Sequence, residues 1–550
     1  VKKISRRRFL DASSAAGAVA ALTTATSDPA PEFPEYPDDG TAEPRADRIT
    51  IAGIHRPQSL DPGLATDSET ERIIRQIFEP LIGIDQNTGS FEPLLAQEWE
   101  VSDDELTYTF TVRRNVLFHD GSELTAETVV ENFQRWGRLD FLYGFGNISQ
   151  SVPLAFPTVF GGFMDAEECV LESVEAADDR TVVLTLREPV VYLLQALTLP
   201  AFGIASAQVL VDSDPGLASR SPVGTGPYEL IETDTEDNSQ LRLRAFPQYW
   251  DGAEGPEEVI VHPLPRSFDR LRELQRGQVD IYDLITVDNL RSLVQSGRMI
   301  LQRDPFSILY MGFNLDHPVM SDITVREAAA RAVNRPQLVQ EIFLEGSRPA
   351  YQFTPAALSV HSDTAQQYSY SPTEAADLLA ESEYDGEPLD FYYPISTTRS
   401  YLPRPEAVFA AIAADLTAAG FTIRPKPVRW DDGYVDQVMG DSSRALHLLG
   451  RNGGFRSPHA FLSPLFGQAT REFNFDDADL VDLLNEARGE SEEEARAELY
   501  RETADLIQER LPALPLAYPI SGLALNSRVT DYPMSPVLNE RFQEIRLNDM

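Results

Sequence analysis

Hydrophobic and polar positions alternate between two periods along most of the chain, and each change of period marks an element. Ile49–Ile54 is a short apolar run that predicts a strand, closed by the Leu60-Asp61-Pro62 turn. Ile73, Ile74 and Ile77 share one face, so Thr70–Phe78 predicts a helix. Leu106–Arg113 alternates through Tyr108, Phe110 and Val112, the mark of a strand with one buried face. Asp120-Gly121 supplies turn geometry, and Thr125 predicts the cap of a helix running to about Trp136. Ser371-Pro372-Thr373-Glu374 reads as a capping box with proline at the first helical position. Glu406–Ala419 sets Val408, Phe409, Ile412 and Leu416 on one stripe. Gly420 ends it, and Phe421–Pro425 resumes as a strand, which gives βαβ character. Ser491 and Glu494 box another helix that stops before Pro512. The pattern predicts an α/β protein.

Three segments depart from that pattern. Pro189–Val211 carries no charge, but Gln195, Pro200, Gly203 and Gln208 interrupt it, which disfavours a membrane span. It predicts a buried helical turn around Tyr192–Leu199 followed by a buried strand. Ser5-Arg6-Arg7-Arg8-Phe9-Leu10 precedes the weakly apolar run Ala12–Thr26, which predicts a twin-arginine export signal over residues 1–27. Residues 28–48 carry Pro29, Pro31, Pro34, Pro37 and Pro44 among acids and predict an extended tether.

Composition narrows the setting. The 550 residues hold 87 acidic and 46 basic side chains, a formal charge of −41. That length calls for more than one domain. A phosphate backbone needs a basic footprint, so nucleic acid is excluded as a partner, and an anionic membrane surface is disfavoured for the same reason. Lysine occurs only at Lys2, Lys3 and Lys426, so nearly every basic side chain is arginine. Self-repulsion of this size is screened only at high ionic strength, so a salt-loving organism of haloarchaeal type is expected.

Catalytic patterns do not emerge. There is no His-Glu-x-x-His helix, no Gly-x-Ser-x-Gly elbow and no Walker phosphate loop. Gly144-Phe145-Gly146 and Gly224-Thr225-Gly226 lack the third spaced glycine of a dinucleotide turn. The histidines are scattered, His447 and His459 being the nearest pair, so no metal site and no cofactor are expected. Cys169 is the sole cysteine; it excludes an internal disulfide and gives no lipid-anchor cysteine after the signal. Asn147-Ile148-Ser149 fits a glycan acceptor.

The order of segments carries a resemblance. Leu60-Asp61-Pro62 leads to Gln76-Ile77-Phe78-Glu79-Pro80-Leu81, Glu92-Pro93-Leu94-Leu95-Ala96 and Trp99. Tyr108–Arg113, Val116–Ala126, Pro222–Tyr228, Tyr249-Trp250, Val325–Ala328 and Ala332–Arg335 follow. This resembles the family 5 extracellular solute-binding proteins, the peptide, nickel and opine receptors of ABC importers. The resemblance implies an α/β, two-lobed periplasmic-binding-protein-like clamp with an extra subdomain, its discontinuous lobes joined by two crossover segments. Residues 49–84, 201–305 and 513–550 would form lobe I, residues 85–200 the extra subdomain, and residues 306–512 lobe II. A monomer at the cell surface would capture a di- or oligopeptide-like solute by hinge closure and pass it to an ABC permease on the outer membrane face. An oligosaccharide or an anionic metabolite is the alternative solute. A secreted hydrolase is the alternative of another class.

The resemblance also implies a site. The loop after Leu-Asp-Pro would bring Thr66, Asp67 and Ser68 to the cleft. The Gly224, Thr225 and Gly226 turn would offer its amides to the ligand, and Asn314 would lie on the first stretch of the second lobe. Peptide receptors of the family tend to read Gly-Trp-x-x-Asp-Tyr-x-Asp-Pro near Leu448–Pro458, the first Asp pairing with the ligand's ammonium. Here Arg451 takes the Trp place, Gly454 the Asp place and Phe455 the Tyr place. Arg451 and Arg456 instead bring donors suited to an anion or a polar sugar face.

Overall fold

The computed structural model describes residues 47–85, 89–144, 154–231, 240–252, 255–468, 470–536 and 540–548. The expected signal, nearly all of the tether, Gly146 and the Asn147 acceptor lie outside the described residues.

Three larger sheets organise the chain. The first has seven strands in the order Met299–Arg303, Ser521–Leu525, Ile281–Asp283, Arg48–Gly53, Glu258–Pro263, Leu241–Ala245 and Tyr228–Leu230. The second has six, in the order Arg348–Pro349, Ala513–Tyr518, Ser307–Phe313, Leu446–Asn452, Leu389–Ile395 and Ile423–Arg429. A four-stranded antiparallel sheet runs Ala96–Val101, Thr107–Val112, Thr181–Leu186 and Leu171–Ala176. The first two sheets mix parallel and antiparallel pairs, and helices cover them.

Two antiparallel strand pairs carry the chain from one large sheet to the other. Met299–Arg303 pairs with Ser521–Leu525 in the first sheet, and Ser307–Phe313 pairs with Ala513–Tyr518 in the second. Only residues 304–306 and 519–520 separate the two pairs, so both crossings lie side by side as a short hinge. Ala513–Tyr518 therefore belongs to the second sheet, which corrects the expected return to lobe I at residue 513. All six of its residues are buried and apolar or aromatic, as a central strand requires.

Strands with a clear period form as the pattern predicts. Thr107–Val112 alternates half-buried and buried, and Thr125 Oγ1 accepts the Thr128 amide at 3.2 Å to start the Ala126–Trp136 helix. Leu389–Ile395, the Pro405–Ala418 helix and Ile423–Arg429 make the βαβ unit; the second strand starts two residues later than Phe421 and runs longer. Ser307–Phe313 is buried on both faces. Leu309, Met311 and Phe313 join the core of the second lobe with Val408, Ile412 and Leu416, whereas Ile308 and Tyr310 face the other cluster.

Local signals mislead at three places. The Pro189–Val211 segment forms the Leu193–Ala196 helical turn but no strand after it. Pro200 opens a 3-10 turn, and later amides bond singly to distant loops, Ile204 to Glu79 and Ser206 to Val223, instead of joining a ladder. Glu492, not Ser491, caps the Glu493–Arg510 helix by accepting the Ala495 amide at 2.7 Å; the Ser491 hydroxyl donates to Glu105 at 2.9 Å. The Pro372–Glu381 helix starts where proline predicts, but the Ser371 side chain makes no capping bond.

Candidate ligand cleft

The helix Ser68–Ile77 sets the first wall. Asp67 caps it, one carboxylate oxygen accepting the Glu69 and Thr70 amides at 3.1 Å each. Farther along, Arg72 is buried in an ionic cluster, with its guanidinium 2.6 Å from Asp283 and 3.2 Å from Glu540. Arg303, the last residue before the hinge, bonds the same two carboxylates at 2.7 and 2.6 Å. Against burial, which pushes it up, Arg303 and Arg72 hold the Asp283 carboxyl down at about 2. The cleft-facing helix is thus tied rigidly to the strand that enters the hinge.

The second wall comes from Leu446–Asn452 and the loop after Leu389–Ile395. Alternation along Leu446–Asn452 sends Leu446 and Leu448 into the second core and turns His447, Leu449 and Arg451 to the opposite face. On that face Glu472 accepts from Tyr310 at 2.8 Å and lies 3.0 Å from His447. Gly312 is required there, because a Cβ would run into the His447 ring. Burial pushes the His447 imidazole down to about 4, so it is neutral at ordinary pH.

The walls touch at named atoms. Asn452 Nδ2 donates to Ser68 Oγ at 2.7 Å, and Ser400 Oγ donates to Asn452 Oδ1 at 2.8 Å. His55 Nδ1 donates to the Arg56 carbonyl at 2.7 Å, which leaves Nε2 to accept from Arg399 at 2.6 Å. Arg399 also lies 3.5 Å over the Trp430 ring. Beyond the helix, Leu199 abuts Gly454, and Tyr192 stacks on Phe455 at 5.4 Å.

Glu71 is the unusual group on the first wall. It is half-buried, and its carboxylate has no hydrogen-bond or ion-pair partner among the described residues. Burial pushes its carboxyl up to about 7; Asp67 adds to this, while Arg75 and Arg451 oppose it. Arg451 faces it from the second wall, and burial pushes that guanidinium down.

The structure gathers only part of the expected site. Asp67, Ser68, Arg451, Gly454 and Phe455 lie at the inter-lobe contact, with Thr66 next to the cap. Arg456 is exposed and joins no bond there among the described residues. The Gly224–Gly226 turn packs on the far end of the helix. A Cβ at Gly224 would strike the Ile77 carbonyl, one at Gly226 would sit 2.6 Å from that of Gln76, and Thr225 Oγ1 donates to Glu79 at 2.8 Å. These glycines admit a helix end instead of a ligand. Asn314 is fully buried at the opposite end of its strand from Asn452. It donates to the Ser442 and Arg444 carbonyls at 3.1 and 2.7 Å and accepts from Asn474 at 2.7 Å, so its valences are spent inside the second lobe.

Glu71, His55, Arg399, Tyr401 and Asn452 were not anticipated. Of these only Asn452 had a signal, its place directly after Arg451. A shallow indentation of about 20 Å³ near Arg75, Tyr249 and Arg541 includes no second-lobe residue and is separate from the cleft. Among the described residues no group of three or more His, Cys, Asp or Glu could hold a metal, and no helix is long and apolar enough to cross a membrane.

Two lobes, a double-stranded hinge and polar groups meeting across the gap define a clamp-type solute-binding protein. Residues 90–473 match the family described as bacterial extracellular solute-binding proteins, family 5 Middle, and the chain belongs to that family. It is 28% identical to heme-binding protein A of Haemophilus influenzae, over 86% of this chain and 87% of that one. It is 27% identical to di/tripeptide-binding protein 2 of Pseudomonas aeruginosa, over 92% and 96%. In fold it matches an ABC transporter-associated periplasmic binding protein of Helicobacter pylori in complex with peptide STSA. The TM-score is 0.81 at 22% identity, covering 91% of this chain and 98% of that one. The role of the chain is that of a substrate-binding receptor.

Proposed function

We propose that this protein is an exported, non-catalytic receptor that captures a peptide-like solute by hinge closure and delivers it to an ABC permease. The observation that carries this reading is the inter-lobe contact itself: Asn452 reaches Ser68 at 2.7 Å, across lobes joined only by residues 304–306 and 519–520. Relatives named for di- and tripeptides support the solute class, and the twin arginine of Ser5–Leu10 supports export in the folded state. The lobe division follows the sheets, with residues 85–200 as the inserted subdomain and the return to lobe I after Tyr518.

Gly454 favours a departure from the family's ammonium site. A Cβ there would sit 2.7 Å from Leu199 Cδ2, so Leu199 fills space where a carboxylate would stand. Thermal denaturation in molar KCl against peptide, oligosaccharide and metal-chelate panels tests the reading. A ligand at a hundred times its Kd adds about 2.7 kcal/mol by linkage. Peptides should raise the midpoint; a shift with oligosaccharides alone overturns the peptide assignment.

A further inference from the structure

The second lobe turns two arginine side chains toward the first, and among the described residues neither makes an ion pair; Asp67, Glu69 and Asp431 act on Arg399, and Glu472 and Glu71 on Arg451, only from beyond 4 Å. Arg399 is 6% exposed; its one bonded nitrogen reaches His55, while Nε and the other terminal nitrogen are buried without partners. Arg451 has a buried, unpartnered Nε, and among the described residues no carboxylate oxygen lies within 4 Å of it. Its neighbour Glu472 already serves Tyr310 and His447. Tyr401 stands within electrostatic reach of both arginines, and the Ser400–Asn452 bond lies beside them in the chain. On the opposite wall the Glu71 carboxylate has no bonded partner either among the described residues.

Burying a guanidinium is unfavourable unless a charge-bearing partner completes it, and its forked donors match a carboxylate. Sugar hydroxyls can accept hydrogen bonds but cannot neutralise two such cations. We infer that the solute supplies the missing charges, one anionic group to Arg399, one to Arg451, and an ammonium to Glu71. That is the charge pattern of an acidic peptide with free termini. The inference rests on the receptor reading above and names its solute class. It also reverses the family's arrangement, since the ammonium partner now comes from the first lobe.

Calorimetric titration of the full chain in molar KCl tests it with three probes differing by single groups: alanyl-glutamate, alanyl-glutamine and N-acetyl-alanyl-glutamate. Alanyl-glutamate should bind about tenfold or more tighter than either of the others, the value expected of charge-assisted bonds. The preference over alanyl-glutamine should vanish in R399Q or in R451Q. Equal affinities for alanyl-glutamate and alanyl-glutamine in the unmodified protein overturn the inference and leave the peptide reading standing. Oligosaccharide binding with no peptide binding overturns both. Because the decisive comparison uses the unmodified chain, a variant that fails to fold does not obscure it.

Discussion

Asn452 of the second lobe donates to Ser68 Oγ of the first at 2.7 Å, while its own carbonyl oxygen is held by Ser400 at 2.8 Å. The donor is therefore oriented before the lobes meet. Its acceptor is equally fixed, because Asp67 caps the helix on which Ser68 is the first residue. One bond between two pre-set groups couples hinge position to cleft geometry.

Removing either partner should loosen closure without unfolding a lobe. Asn452→Ala and Ser68→Ala should each weaken ligand binding by roughly fivefold, about 1 kcal/mol, the net worth of one hydrogen bond. The double variant should lose little more than either single one. Calorimetry measures the cycle, and X-ray scattering should show a larger radius for the variants at subsaturating ligand. Additive losses would mean the two side chains act independently.

What could be read in advance follows from range. Thr107–Val112 and Ser68–Ile77 carry their burial pattern locally, so the period is enough to find them, though the Asp67 cap that starts the helix two residues before Thr70 is not read from it. The return at residue 513 was misplaced because Ala513–Tyr518 is equally apolar in either sheet; only its pairing with Ser307–Phe313 decides. His55 and Arg399 are 344 positions apart, and their bond exists only when the lobes meet. Glu71 is one acid among 87, and its isolation comes from what packs around the helix, not from its neighbours in the chain.

Gly224 separates a structural role from a binding one. A Cβ there would collide with the Ile77 carbonyl, which is backbone and cannot swing aside. Gly224→Ala should lower stability by about 1–3 kcal/mol, as overpacking does. The affinity of the folded fraction should stay unchanged. A variant of native stability but weakened binding would restore the turn to the ligand site.

The formal charge of −41 sets the solvent the fold needs. At about 0.1 M salt the Debye length is roughly 10 Å, and at 1 M it is roughly 3 Å. Raising KCl from the lower to the higher value should raise the melting midpoint steeply as carboxylate repulsion is screened. Sucrose at matched osmolarity should do much less. Equal midpoints at both salt concentrations would remove the halophilic reading.

Glu71 should give stability a pH dependence of a definite sign. Its carboxyl is raised to about 7, from an ordinary value of 4.5, chiefly by burial, with Asp67 adding and Arg75 and Arg451 opposing. The folded protein therefore keeps a proton on Glu71 that the unfolded chain has already lost. Through this group, stability is highest below the unfolded value, falls as pH rises toward about 7, and levels off above it. Glu71→Gln removes the carboxyl and keeps the shape. It should match the parent near pH 4 and exceed it by on the order of 2 kcal/mol at pH 8. Denaturant midpoints at both pH values check this. An acidic peptide that brings an ammonium to Glu71 should reverse the trend, since binding then favours the ionised carboxylate. The bound parent would release a proton near pH 6, measurable as a buffer-dependent enthalpy, and Glu71→Gln would not. Identical proton release in the two proteins would show that Glu71 stays protonated in the complex and holds no ammonium.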